Sequence, residues 1–306
     1  MLFRHLAAPL DATALDPTPH DKLMLGIGFV WIAGVLSIDS HSSIWTQRAM
    51  GVFTWLLLIW VCSLEGRQVR AQVVIVVAYA TTIEYVFSGL LHVYVYRLDN
   101  VPLYVPPGHG LVYGAAITMA RTQFFKRHAK RLVIAMLVAD GLWALWGVTL
   151  SPRSDWLGVF WFLCMVVWVR FASAPTVYVG AFIVVSYLEI VGTSLGTWRW
   201  STHDPIGWFT IGNPPSGIAG GYCWFDTAAL ILAPVLLVRY DAWRAKRKTG
   251  PREAEVLAAD ERALHRLERQ VARDSGVPLG EVSEGEIVEQ PVAGKEIPAS
   301  AAPPPG

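Results

Sequence analysis

The stretch AQVVIVVAYATTIEYVFSGLLHV, residues 71–93, decides the fold class. It holds no Lys or Arg, and at about 1.5 Å per helical residue it is long enough to cross a hydrocarbon core of about 30 Å. Comparable apolar runs lie near 23–39, 49–65, 108–121, 131–150, 155–171, 175–197 and 217–239. The expected fold is therefore all-α, a polytopic transmembrane helix bundle of about eight spans. Composition points the same way. Of 306 residues, 54% are hydrophobic and 16% charged, with a mean hydropathy of +0.41, where a soluble domain carries about 25% charged residues.

With the N-terminus inside, sixteen Lys and Arg up to Arg252 fall in cytoplasmic segments, and only Arg48, Arg97, Arg153 and Arg199 fall in the opposite loops. By the positive-inside rule both termini are then cytoplasmic. Residues 1–22 form a short leading segment, 23–240 the membrane domain, and 241–306 a charged cytoplasmic tail. On that tail Leu257, Leu264 and Val271 recur every seven residues, and the part after 280 has a disordered composition. The first span lacks the layout of a cleaved signal peptide and is expected to be kept. The net charge of +1 comes without a basic patch, so nucleic acid is not an expected partner. The bilayer and a lipophilic small molecule are. Cys62, Cys164 and Cys223 show no metal-binding spacing.

Glu84 lies about 20 Å into its span, counting from Ala71, and a carboxylate at such depth costs about 2.5–3.5 kcal/mol on insertion scales. It should therefore face the bundle interior. A second glutamate, Glu189, occupies the same place in the seventh span. The polar residues flanking each share offsets: Thr81, Ser88 and His92 around Glu84, and Ser186, Thr193 and Thr197 around Glu189. Such offsets place them on one helical face. Each glutamate is followed by an aromatic-rich exit and a Pro-Pro turn, Pro106-Pro107 in one case and Pro214-Pro215 in the other. This suggests two parallel four-helix repeats, 23–121 and 131–239.

Asp226, His92 and His109 join the two glutamates as candidate catalytic groups, with Asp140 as a further buried acid. Thr81, Ser88, Tyr94, Tyr113, Ser186, Thr193, Asn213 and Trp224 are candidates for lining a substrate pocket. The exit tryptophans Trp198, Trp200 and Trp208 are expected to act as interfacial anchors. No cofactor is expected. A divalent metal on Glu84, His92, His109, Glu189 and Asp226 stays open, although no HExxH or paired-aspartate motif supports it.

The run Glu84, Gly89, Tyr94, Tyr96, Val101-Pro102 and Val105-Pro106 resembles membrane carotenoid-biosynthesis hydratases of the bisanhydrobacterioruberin hydratase type. The resemblance covers residues 84–113, with an echo at 189–226. It departs from the family pattern at Leu91-His92-Val93, where Phe-Gly is usual, and in the added Pro-Gly-His-Gly turn. It implies an enzyme that handles a long isoprenoid chain within the bilayer by hydration, isomerisation or cyclisation. Two rival readings stand beside it. One is a proton-coupled transporter or lipid flippase; the other is a membrane scaffold with a partner-binding tail.

Overall fold

The computed structural model describes residues 15–172 and 174–248, with Arg262 and Arg266. Among these residues eight α-helices follow in order: α1 (Asp21–Asp39), α2 (Ile44–Leu64), α3 (Arg67–Glu84), α4 (Val105–Arg121), α5 (Gln123–Thr149), α6 (Trp156–Phe171), α7 (Pro175–Ser194) and α8 (Ala219–Lys248). A π-helical segment, Tyr85–Leu90, continues α3. Two three-residue strands, β1 (Tyr94–Tyr96) and β2 (Trp198–Trp200), follow α3 and α7. This ribbon was not anticipated for an all-α chain. Among the described residues, six helices are long and apolar enough to cross a membrane: α1, α2, α3 with its π segment, α5, α7 and α8. The other two, α4 and α6, have 17 and 16 residues. Exposed apolar side chains such as Val30, Phe53, Leu56, Ile59, Val74 and Leu142 cover the outer faces, as expected of a protein whose solvent is lipid.

The chain divides into two compact units at Ala242 and Trp243, and the site described below lies wholly in the first. In the second, the Arg247 guanidinium lies 4.3 Å from the centre of the Trp243 ring. The heptad-spaced Leu257, Leu264 and Val271 lie outside the described residues, as do most of residues 1–22.

Polar clusters fix both ends of the first four helices. At one end Asp39 closes α1, is fully buried, and accepts hydrogen bonds from Gln47 at 2.9 Å and Tyr104 at 3.0 Å. At the other end Arg121, at the C-terminus of α4, meets Asp21 and Glu65, each at 2.6 Å. Successive helices thus run in alternating directions. Asp155 organises the second half similarly: it caps α6 through Gly158 N at 3.0 Å and accepts from Gly212 N at 2.8 Å and Ser216 N at 2.6 Å ahead of α8.

The central helix is α4, buried along almost its whole length. Its first turn holds Pro106 and Pro107, where a missing N–H costs no helical hydrogen bond; here the Pro-Pro pair starts a helix and is not a turn. Small residues let neighbours approach closely. A Cβ on Gly180 of α7 would stand 2.5 Å from the Ala116 carbonyl oxygen, and one on Gly108 would stand 2.5 Å from the Trp31 ring.

Candidate functional site

Tyr94-Val95-Tyr96 and Trp198-Arg199-Trp200 each alternate aromatic and non-aromatic residues, and a strand sends alternate side chains to one face. They pair antiparallel in the register Tyr94 with Trp200, Val95 with Arg199 and Tyr96 with Trp198. All four aromatic residues are buried beneath this two-stranded cap, while Arg199 is exposed above it. Ring centres of Tyr94 and Trp200 are 4.7 Å apart.

Beneath the cap, each glutamate is held by the aromatic pair from its own segment. Glu84 Oε2 accepts hydrogen bonds from the hydroxyls of Tyr94 and Tyr96, both at 2.8 Å. Glu189 Oε2 accepts from the indole N–H groups of Trp198 at 3.0 Å and Trp200 at 3.1 Å. Burial, and next the nearby Glu84 carboxyl, push both phenols well above their ordinary pKa, so they stay protonated as donors. Gly192, one helical turn beyond Glu189, makes room for this arrangement. A Cβ there would collide with the Trp198 ring, which lies down on α7 at that point.

The two arrangements differ by one residue. Tyr94 follows Glu84 by ten positions, and Trp198 follows Glu189 by nine. The π-helical segment takes up the extra residue, because an i to i+5 turn absorbs a one-residue insertion without breaking the helix. The strands therefore start in equivalent places.

Glu84 and Glu189 line one cavity of about 280 Å³, 5% and 3% exposed respectively. About half of its lining residues are Phe, Tyr or Trp, among them Trp31, Tyr79, Trp161, Tyr222 and Phe225. Besides its tyrosines, the lining also carries His109, on the second turn of α4, which is 6% exposed with Nε2 at 3.4 Å from Glu84 Oε1. His109 Nδ1 lies 3.0 Å from the Val105 carbonyl oxygen. That oxygen can only accept, so Nδ1 carries a hydrogen, and Nε2 faces the carboxyl oxygen. Tyr222 stacks on the imidazole, ring centres 5.4 Å apart and planes at 13°, and its hydroxyl also interacts with Glu189. The cavity wall includes Trp224, 44% exposed on the apolar outer surface, and half-buried Phe87.

Other candidate residues from the sequence fall elsewhere. Asp226 is buried beside a separate void of about 10 Å³, which it shares with Tyr113, His109 and Tyr222. Asp226 Oδ2 and the Tyr113 hydroxyl have no protein partner among the described residues. Asp140, also buried and unpartnered, lines neither space. His92 is a correction: the π segment ends the helical stripe before it. His92 then adopts a left-handed φ of 51°, and its side chain is exposed outside the cavity. Its carbonyl accepts from Ser201 Oγ at 2.6 Å.

Among the pocket candidates, Tyr94 and Trp224 line the cavity; Thr81, Ser88, Ser186, Thr193 and Asn213 do not. Thr81 and Thr193 donate to carbonyls one turn back, and Asn213 Oδ1 accepts from Trp200 N at 2.9 Å. Trp198 and Trp200 are a second correction, since they are buried donors to Glu189 and not interfacial anchors. Trp208, by contrast, is exposed. Among the described residues, no three His, Cys, Asp or Glu side chains gather as a metal site. The chain matches no protein-family model, no curated protein and no solved structure.

Proposed function

We propose that this is an integral membrane enzyme acting on a lipophilic, isoprenoid or carotenoid-like substrate by carboxyl acid–base chemistry, in line with the hydratase resemblance of residues 84–113. The observation that carries this reading is that Glu84, paired with His109, and Glu189 line the same aromatic cavity. In the same reading all eight helices cross the bilayer, both termini are cytoplasmic, and the two glutamate sites descend from a duplicated four-helix unit.

Hydration or isomerisation of an isolated alkene needs a proton delivered to carbon where bulk water is excluded. The Glu84–His109 pair supplies that proton: the alkene π electrons form the new C–H bond, and the neighbouring carbon becomes cationic. Water then adds to that carbon and loses a proton to Glu189. Alternatively, an adjacent C–H bond gives its proton to Glu189 and a shifted double bond forms. The antiparallel strand pair ties the exits of α3 and α7 together, which disfavours the rocking of halves that alternating-access transport requires.

The test is mass spectrometry of lipid and pigment extracts from cells with the protein, without it, and with Glu84→Gln or Glu189→Gln. A species shifted by one water or by isomeric retention time, and lost in both variants, is expected. Unchanged extracts, with substrate movement that depends on the proton gradient, would make this a transporter.

A further inference from the structure

The cavity lining holds two carboxyl groups and one imidazole. These are Glu84, Glu189 and His109, beside several tyrosines, and among the described residues no Lys or Arg lines the cavity. His109 Nε2, 3.4 Å from Glu84 Oε1, faces one of the two carboxyl groups. Glu189 is then left with neutral donors only: the two indoles and the Tyr222 hydroxyl. A carboxylate buried among neutral groups is costly unless it takes up a proton or a cation accompanies it, so Glu189 offers an entering cation a counter-charge that no neighbouring base competes for. The rest of the wall is built to take one, since aromatic faces attract cations and do so most strongly away from water. Trp31, Tyr79, Trp161 and Phe225 are not engaged by either carboxylate, and their rings form much of the wall.

We infer that the cavity is a binding site for a lipophilic monocation. An alkylammonium head sits among the aromatic rings against Glu189, and its hydrocarbon chain leaves past Phe87 and Trp224 toward the bilayer. This deepens the function proposed above, because the carbocation formed on protonating an alkene has the same charge and the same apolar body as such a head. A resident ammonium-bearing lipid would present the same chemistry.

The test uses the full-length protein in lipid nanodiscs. The probes are dodecyltrimethylammonium, kept below its micelle concentration, and its uncharged isostere with carbon in place of the quaternary nitrogen. Binding is read by tryptophan fluorescence, and thermal unfolding checks that each variant is folded. The cation should bind about tenfold or more tightly than the isostere. Glu189→Gln should erase that preference, and Trp161→Leu should weaken it in a protein whose carboxyl groups are intact. Equal binding of the two probes would overturn the inference, as would a preference that survives Glu189→Gln in folded protein. Equal binding with altered extracts removes only the cation site. A cation preference with unchanged extracts keeps the site and removes the enzyme, making the ligand a resident ammonium compound. Inhibition of turnover by the ammonium probe but not by the isostere would assign the site to the carbocation.

Discussion

At the scale of single residues, a few donors hold the site in place. Trp198 and Trp200 can only donate, so Glu189 Oε2 depends on both of them. Replacing Trp200 by Phe keeps the ring and removes one donor. A loss of about 1–3 kcal/mol is expected for an under-satisfied buried oxygen, to be measured as a drop in thermal unfolding temperature in nanodiscs; an unchanged temperature would mean the bond contributes nothing. His109→Gln is expected to lower turnover by about a hundred- to ten-thousand-fold while the protein stays folded, measured as product per protein in extracts. The two glutamates were legible from sequence, because the cost of a charge deep in lipid forces it inward. His109 was legible as a candidate, but its partner was not. The spacing from Glu84 to His109 has no helical meaning, and the contact exists because α4 packs beside α3.

At the scale of elements, the cap and the π segment were invisible for different reasons. Two strands of three residues each give too short an alternation to register against long helical runs, and tryptophans at a span exit already have an interfacial explanation. The polar stripe Thr81, Glu84, Ser88 and His92 assumes an unbroken 3.6-residue period, which the π segment Tyr85–Leu90 interrupts. Deleting Gly89 would equalise the spacing from each glutamate to its strand. The deletion variant should fold, keep β1 in register and retain function; loss of the folded protein would show that the π geometry itself is required. Across the cap, Val95 and Arg199 face one another. Cysteines at these two positions should lose their thiols together on oxidation, whereas cysteines at Val95 and Trp208 should not.

At the scale of the whole molecule, the eight apolar runs read from sequence correspond to the eight helices. Two boundaries moved by about two turns: α5 begins at Gln123, eight residues early, and kinks at His128, and α8 runs on to Lys248, nine residues late. Six of the helices are long and apolar enough to span a membrane. The cavity lies beneath the cap, and part of its wall, including Trp224, is exposed on the apolar surface. A substrate that arrives sideways from the bilayer does not need the cap to open. The oxidised Val95→Cys, Arg199→Cys protein should therefore keep its turnover, and inactivity reversed by a reductant would instead make the cap a gate.

In the proposed reaction a proton passes from the Glu84–His109 pair to a carbon atom of a lipid substrate. The most direct measurement incubates membranes holding the protein in deuterium oxide with total lipid extract and follows deuterium at carbon by mass spectrometry. One non-exchangeable deuterium per product is expected with the natural protein, and none with Glu84→Gln. Product without deuterium at carbon, or equal labelling in the variant, would contradict proton transfer from this pair.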